Sequence, residues 1–301
     1  MGPGGSALPR FTFGCARRRG KGASRPCPRR AGSRLSRFSA RPLLAAALSI
    51  LLASPVGAAQ PPRRVASLNL CTDDIVLLLA DPDQIVSVSY LSHDPRESAL
   101  WRSARRHAAN DGSMLSIAAL KPDLIVASGG GPRDRVTLAR AIGARVIDLP
   151  YPLSLDDLMS GIRTIASALG RPARGDRLIA RIEQARRTAP RRSRDAIFLS
   201  GGGRTLSATG MGAAWLRLAG IRQRALPGDR ISVEGLLRNP PTLLLRSNYR
   251  AGEISREGAW LTHPALRAIP HARTITTDGR RWTCMGPSLL PEILRLRSLA
   301  G

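Results

Sequence analysis

The side chains that most often catalyse reactions are present in this chain of 301 residues, but they are not grouped. The histidines are dispersed, and no two of them form an H-E-x-x-H motif or an i, i+4 pair: His93, His107, His263 and His271. Two acidic pairs, Asp73-Asp74 and Asp156-Asp157, stand where helices should begin, and carboxylates there suit the helix dipole. The sequence therefore shows no catalytic signature and no metal site.

Two triple glycines resemble phosphate-binding loops at first sight. Residues 129–131 and 201–203 each follow a predicted strand, but neither completes G-x-G-x-x-G, and no G-x-x-x-x-G-K-[ST] motif is present. The chain also has no G-x-S-x-G nucleophile elbow. We interpret the triple glycines as loops that allow two lobes to approach closely.

Strand-like and helix-like segments alternate along the chain, which predicts parallel sheets. A helix predicted over residues 172–188 separates two such runs, with Pro172 in its first turn and Pro190 after its end. Shorter helices are predicted over residues 97–106 and 261–269. The predicted fold class is α/β, with two lobes, each a mainly parallel sheet flanked by helices, joined by a single long helix. A cleft between two such lobes is a preferred place for a ligand.

The predicted domain boundaries follow from these patterns. Residues 1–58 carry eleven Lys or Arg and no acid, and they end in a short apolar run with small residues near Ala58. We predict a disordered basic segment and a cleaved secretory signal peptide there, too short for a membrane span. The N-terminal lobe is predicted over 63–170, the interlobe helix over 171–190 and the C-terminal lobe over 191–301.

The remaining chain has 36 basic and 21 acidic residues, a net charge of +15 once the eleven N-terminal cations are subtracted from 47. The arginines are scattered over many elements, and no nucleic-acid-binding motif accompanies them, so no nucleic-acid partner is expected. We expect an exported protein that is soluble after the signal is cleaved.

Cys71 and Cys284 are the cysteines that remain after residue 58. Each follows a predicted strand, one in each lobe, so both should lie at the cleft, and an oxidising compartment favours a disulfide between them. A bridge closing so long a loop would stabilise the fold by on the order of 4–5 kcal/mol in the chain-entropy model. Free buried thiols, or one thiol ligating a bound metal, are the alternatives.

Six segments, in order along the chain, resemble the helix-linked substrate-binding proteins of ABC importers for cobalamin, haem and ferric siderophores. They are 64–73 (RVASLNLCTD), 85–95 (IVSVSYLSHDP), 120–126 (LKPDLIV), 233–240 (VEGLLRNP), 263–266 (HPAL) and 282–287 (WTCMGP). The resemblance implies a monomer with no intrinsic cofactor. Its partners would be a small-molecule ligand and an ABC-transporter permease with its ATPase, through which it contacts the inner membrane peripherally.

The resemblance also implies docking on the permease through one acidic residue in each lobe. Glu234 matches the position in the C-terminal lobe, whereas the N-terminal lobe has Leu115, between Met114 and Ser116, where an acid is expected. Docking would then be asymmetric, or shifted to Asp111. Met285 also interrupts what is often a Cys-Gly-Gly-Pro turn.

The leading hypothesis is a periplasmic binding protein that captures a metal chelate or corrinoid and delivers it to the permease without changing it chemically. Planar ligands favour flat apolar walls with a few polar groups. The candidate binding residues stand at predicted strand exits: Asn69, Tyr90, His93, Trp215, Tyr249, Arg250 and Trp282. Each aromatic among them could equally be a buried packing residue. Positive charge at Arg246 or Arg250 could favour anionic chelates, and the resemblance places cobalamin slightly ahead of haem and ferric siderophores.

Two other functions stay open at this point. An exported metal-dependent enzyme on the same scaffold should show clustered ligands, or a nucleophile beside its base, and the sequence contains neither. A structural or sensory periplasmic protein that has lost its transporter contact would explain the missing acid near Leu115.

Overall fold

The computed structural model describes residues 60–130, 135–267, 269 and 271–300. The predicted basic segment and signal peptide at residues 1–58 lie outside the described residues. No helix in the described ranges is both long and apolar enough to cross a membrane.

The first half of the described chain forms a five-stranded parallel sheet with the order β3-β2-β1-β4-β5. Its strands are β1 Val65–Ser67, β2 Ile85–Ser89, β3 Ala108–Asn110, β4 Leu124–Ser128 and β5 Arg145–Leu149. The helices around it are α1 Leu70–Leu79, α2 Trp101–Ala104, α3 Met114–Ala118, α4 Arg135–Ala141 and α5 Leu155–Ala168. The central strand β1 is wholly buried, as in parallel sheets covered on both faces.

The second half forms a four-stranded parallel sheet with the order β7-β6-β8-β9. Its strands are β6 Arg194–Leu199, β7 Ile221–Gln223, β8 Leu243–Ser247 and β9 Arg273–Thr277. The helices that accompany them are α7 Met211–Leu218, α8 Val233–Arg238, α9 Arg256–Leu261, α10 Arg281–Cys284 and α11 Leu290–Ala300. The prediction of an α/β fold with two parallel sheets is therefore confirmed.

Helix α6, Pro172–Arg187, connects the two sheets in the chain. Its buried side chains at Ile179, Ile182 and Ala185 belong to an apolar core that also includes residues of both sheets. Gly175 allows α6 to approach α5 closely, because a Cβ there would lie 2.5 Å from the Cβ of Ala166. The helix thus packs against α5 of the N-terminal lobe, and near its end the Ala185 carbonyl accepts a hydrogen bond from Arg297 of α11 in the C-terminal lobe.

Two predicted helices differ from the structure. Within residues 97–106 only Trp101–Ala104 is α-helical, because the preceding residues form a turn in which the Asp94 carbonyl accepts the amide protons of Glu97 and Ser98. Within residues 261–269, α9 ends at Leu261 and a 3₁₀ turn follows over Pro264–Arg267. Strands β3 and β7 have three residues each, too few for their sequences to show a period.

Candidate ligand-binding site

The carboxyl ends of the two sheets meet along one line, which we call the seam. Segments that follow β1 and β2 contact segments that follow β8 and β9, through a disulfide, ion pairs and hydrogen bonds. Since β2, β1, β4 and β5 are neighbours in that order, the seam has three successive parts. They lie beyond the exits of β2, of β1, and of β4 and β5.

In the middle part of the seam, a disulfide bond joins the two lobes. Cys71 at the start of α1 is disulfide-bonded to Cys284 at the end of α10, with their Cα atoms 5.1 Å apart. Beside the disulfide, a carboxylate oxygen of Asp74 accepts the Ser288 amide proton at 3.1 Å. Gly286 lies so close to that carboxylate that a Cβ would overlap it, and burial raises the pKa of Asp74. The two lobes are therefore joined at the exit of β1.

Trp215 supports the turn that carries Cys284, and its proposed role as a ligand wall is corrected. Its side chain is 0% exposed, and its indole N–H donates to the Met285 carbonyl at 2.8 Å. Met285 itself has a left-handed φ of 49°, a conformation that side chains rarely adopt. A ring enclosed by the core has no face left for a ligand, so Trp215 is a packing residue.

Trp282 is corrected in the same way. Its buried indole N–H donates to the Thr277 hydroxyl at 2.8 Å, and its ring lies 4.9 Å from that of Phe198, centroid to centroid. Both contacts lie inside the C-terminal lobe. Trp282 thus holds the start of α10 against the sheet.

At the exit of β2 an ionic cluster joins the lobes, which we call the latch. The buried carboxylate of Glu97 accepts the Tyr249 hydroxyl proton at 2.6 Å and is ion-paired with Arg250, while Arg96 is paired with Glu253 at 3.1 Å. Burial, followed by the neighbouring carboxylate, raises the pKa of Tyr249. Arg250 holds a left-handed φ of 52°. Tyr249 and Arg250, both predicted to bind ligand, are therefore committed to the opposite lobe in this conformation.

The three candidates from the N-terminal lobe have different surroundings. Asn69 caps α1, its side-chain oxygen accepting the Thr72 amide proton at 3.0 Å. His93 has a buried Nε2 with no hydrogen-bond partner among the described residues, and burial lowers its pKa. That atom is buried in this conformation, and the role of His93 as a ligand contact stays a prediction. Tyr90 is 57% exposed and is the most accessible of the three.

A buried carboxylate organises the exit of β2. One oxygen of Asp73 accepts the Ser89 amide proton at 3.0 Å and the hydroxyl protons of Ser89 and Ser92 at 2.5 and 2.6 Å. Its other oxygen has no partner among the described residues. Burial raises the pKa of Asp73 to about 7. The cluster ties α1 to the loop that carries Tyr90, and we had interpreted this acid only as a helix-start residue.

The third part of the seam is a cavity of about 370 Å³, which we call the seam pocket. Its lining comes from both lobes and is mostly apolar: Cys71, Thr72, Ile75, Ser128, Leu149, Pro150, Tyr151, Pro152, Leu153, Asp157, Leu158, Ser160, Gly161, Thr164, Cys284 and Gly286. Tyr151 is 61% exposed and Leu153 81% exposed. Large apolar side chains that stay exposed beside a cavity are typical of a binding surface.

Sequence reasoning missed Tyr151, although it stands in a strand-exit loop like the other candidates. Its ring lies against Gly129, where a Cβ would be only 2.5 Å from two of the ring carbons. Gly129 has a φ of 89°, which glycine adopts without strain. The signal was the segment 150–153 directly after β5, which combines two prolines with a tyrosine and a leucine.

The triple glycines therefore allow close packing inside each lobe rather than between lobes. Gly129 makes room for Tyr151 in the N-terminal lobe. In the C-terminal lobe a Cβ at Gly203 would meet the Ile231 carbonyl, and the Trp260 ring at 3.2 Å. Our interpretation of these glycines as contacts between lobes was wrong.

Among the described residues, no group of three or more His, Cys, Asp or Glu is arranged to hold a metal ion.

Comparison with known proteins places this geometry in context. A sequence model described as "Periplasmic binding protein" matches residues 65–212. The periplasmic haem-binding protein HutB of Vibrio cholerae superposes with a TM-score of 0.63 at 19% identity, covering 78% of this chain and 98% of that one. A periplasmic haem-binding protein from Pseudomonas aeruginosa gives 0.58 at 21% identity, covering 79% and 92%. The vitamin B12-binding protein BtuF of Vibrio cholerae gives 0.56 at 19% identity, covering 79% and 96%. A search of curated protein sequences gave no match.

Proposed function

We propose that this chain is a periplasmic binding protein that captures a metal chelate or corrinoid and delivers it to an ABC importer, which the family match over residues 65–212 and the shared fold support. The observation that carries the proposal is the seam pocket. It combines an apolar cavity between two lobes, at the carboxyl ends of parallel strands, with an exposed aromatic ring on its wall. The solved structures with the same fold include proteins described as binding haem and vitamin B12.

The ring of Tyr151 is the feature of the pocket best suited to a planar ligand. One side of the ring lies on Gly129, and much of the side chain stays exposed. A macrocycle stacked on the ring would bury it against a flat partner, the arrangement that aromatic rings favour in offset stacks. Leu153 and Pro152 extend the same apolar surface.

The charge of the pocket narrows the ligand class. The described residues that line it include one carboxylate, Asp157, and no arginine or lysine. Asp157 accepts the Leu153 amide proton at 3.1 Å, so its carboxylate holds the loop that carries Leu153. The arginines near the latch are occupied as well, since Arg250 is paired with Glu97 and Arg280 with Asp278. A neutral or cationic macrocycle such as a corrin suits this lining better than an anionic ferric siderophore.

Delivery to a permease involves the outer surfaces of the two lobes. Leu115 and Glu234 occupy equivalent places, each the second residue of a short helix that begins after a capping serine, Ser113 or Ser232. Leu115 is 86% exposed, and Glu234 is exposed too, with a pKa lowered by hydrogen bonds at the helix start. In the proposed complex the C-terminal lobe offers a charged contact and the N-terminal lobe an apolar one.

The proposed compartment is the periplasm, where the matched family and the solved structures reside. The seam disulfide suits that compartment, because disulfides persist where the environment is oxidising. A monomeric binding protein that works with a permease and its ATPase follows from the same proposal.

The test is ligand binding by the purified protein. Protein isolated from the periplasm is examined for corrin or Soret absorption, and ligand-free protein is then titrated with aquocobalamin and with haemin. Tyr151→Ala should weaken binding of the preferred ligand about tenfold, the equivalent of ~1.4 kcal/mol of lost stacking.

Tyr90→Ala tests the other exposed candidate, because Tyr90 is about as exposed but stands at the latch end of the seam, and the variant that loses more affinity shows which end binds the ligand. Equal affinities in Tyr151→Ala and the wild type would overturn the seam pocket as the site. No binding of either ligand by the wild type would overturn the proposed ligand class.

A further inference from the structure

The C-terminal lobe contains a second cavity, which we call the lobe pocket. It has a volume of about 420 Å³ and lies between the exits of β8 and β9, the loop over residues 248–255, and α9. No residue that lines it also lines the seam pocket. Its size is in the range of small-ligand sites, and it stands at the carboxyl ends of parallel strands, where ligands bind in such folds.

Arg246 sets the chemistry of this pocket. It lies on the central strand β8, whose side chains alternate between the two faces of the sheet, so Arg246 shares a face with Leu244. Leu244 belongs to the core under α8 and α9. Arg246 is two residues closer to the end of the strand, where it lines the lobe pocket. Arg246 is thus an arginine on an interior strand that lines a cavity.

The guanidinium of Arg246 has no hydrogen-bond or ion-pair partner among the described residues, although the residue is partly buried. A guanidinium that has no partner within the protein is available to pair with an anion from solution. The one carboxylate in the lining, Glu253, is already paired with Arg96 and Arg250. The pocket therefore has an unused positive charge.

Other donors in the lining are uncommitted as well. Asn248 uses its side-chain oxygen to accept the Gly279 amide proton at 2.8 Å, which leaves its amide NH₂ without a partner in the described part of the chain. The Thr276 hydroxyl, opposite Arg246 in the β8–β9 register, has none either. Planar guanidinium, amide and hydroxyl donors together match the oxygens of a carboxylate or phosphate.

From this geometry we infer that the lobe pocket binds a small oxyanion, phosphate or carboxylate, through Arg246. The site goes beyond the proposed function, because it is separate from the seam pocket and lies in one lobe. Asn248 and Thr276 supply further donors, and Leu261 contributes to the apolar part of the lining.

The experiment measures thermal unfolding of the purified protein at constant ionic strength, with chloride replaced stepwise by phosphate or by acetate. A bound oxyanion should raise the unfolding midpoint in proportion to the logarithm of its concentration above its Kd, by about 3–5 °C at roughly ten times its Kd. Arg246→Gln should abolish this rise. Arg256→Gln, an exposed arginine at the start of α9 that does not line the pocket, should keep it.

Arg246→Lys is the second variant, for the case that Arg246→Gln does not fold. It keeps the positive charge and should retain a weaker rise of the unfolding midpoint. Haemin, with its carboxylates, is titrated in chloride and in saturating phosphate. Unchanged haemin affinity supports a site for the free ion, and phosphate-weakened affinity assigns the oxyanion to the larger ligand. A wild type with no phosphate or acetate response, or an Arg246→Gln variant that responds like the wild type, would overturn the inference.

Discussion

Trp215 and Met285 are joined by a hydrogen bond of 2.8 Å from the indole N–H to the backbone carbonyl. This bond connects the fully buried core of the C-terminal lobe to the turn between Cys284 and Gly286. The position of the disulfide partner at the seam therefore depends on an aromatic residue that never touches the seam pocket.

Trp215→Phe should lower stability and leave ligand affinity nearly unchanged. The variant creates a small cavity and leaves the Met285 carbonyl unpaired, which together should cost about 2–4 kcal/mol. Denaturant unfolding gives the free energy, and ligand titration well below the transition gives the affinity. The partly buried Trp101, changed to Phe, is the control with a smaller expected loss. A loss of affinity with unchanged stability would restore Trp215 as a ligand wall.

Cys71→Ser with Cys284→Ser should lower the free energy of unfolding. The bond closes a sequence separation of 213 residues, for which the chain-entropy model gives on the order of 4–5 kcal/mol. Unfolding is measured with and without reductant. Reductant should destabilise the wild type and have no effect on the double variant. Complete alkylation of the non-reduced, denatured wild type at both cysteines would show that the bond does not form in the protein.

Glu97→Gln should open the latch. The change removes the charge that holds Arg250 and the hydroxyl of Tyr249, at a cost to the closed arrangement of about 1–2 kcal/mol. Ligand should dissociate roughly tenfold faster, as measured by stopped-flow absorption. Glu257→Gln, an exposed carboxylate on α9, is the control. If the two variants release ligand at the same rate, the latch does not limit release.

Asp73 gives a pH dependence of defined sign. Its pKa is about 7 in the fold and near 3.8 in the unfolded chain, so the folded state binds more protons between those values. The contribution of Asp73 to the free energy of unfolding is fully present below about pH 4 and is lost as the pH rises through about 7. Urea unfolding at several pH values should show that Asp73→Asn, which resembles the protonated acid, loses less stability than the wild type over this range. Parallel curves for the two proteins would contradict the assignment.

Glu234→Ala should reduce uptake of the ligand by cells and leave its affinity unchanged. The side chain is exposed at a helix start, so the loss of stability should stay below about 0.5 kcal/mol. Uptake of labelled ligand in a strain lacking the native protein measures the effect, with Glu257→Ala as the control carboxylate. Uptake equal to the wild type would remove Glu234 from the docking surface.

Several of these features could be predicted from sequence because they follow from topology. Cys71 and Cys284 were placed together because the exits of parallel strands share one edge of a sheet, and the structure joins them. The alternation of strands and helices predicted both sheets, apart from the three-residue strands β3 and β7.

The orientation of rings at strand exits could not be predicted. Trp215 and Tyr151 both stand near such exits, yet one is enclosed and the other exposed. The difference depends on tertiary partners, the Met285 carbonyl for Trp215 and the bare backbone of Gly129 for Tyr151. Glu97 looked like a helical residue, and only the approach of Tyr249 and Arg250 from the other lobe gives it a function.

The cysteine bond also bears on how the protein is made. It links Cys71 to Cys284, and the chain has no other cysteine beyond residue 58. In the proposed export, which starts from the amino end, the Cys71 thiol would stay unpaired until Cys284 had crossed the membrane. With the predicted cleavage near Ala58, which removes Cys15 and Cys27, no incorrect intramolecular pairing would be available, so maturation would require an oxidant but no disulfide isomerase.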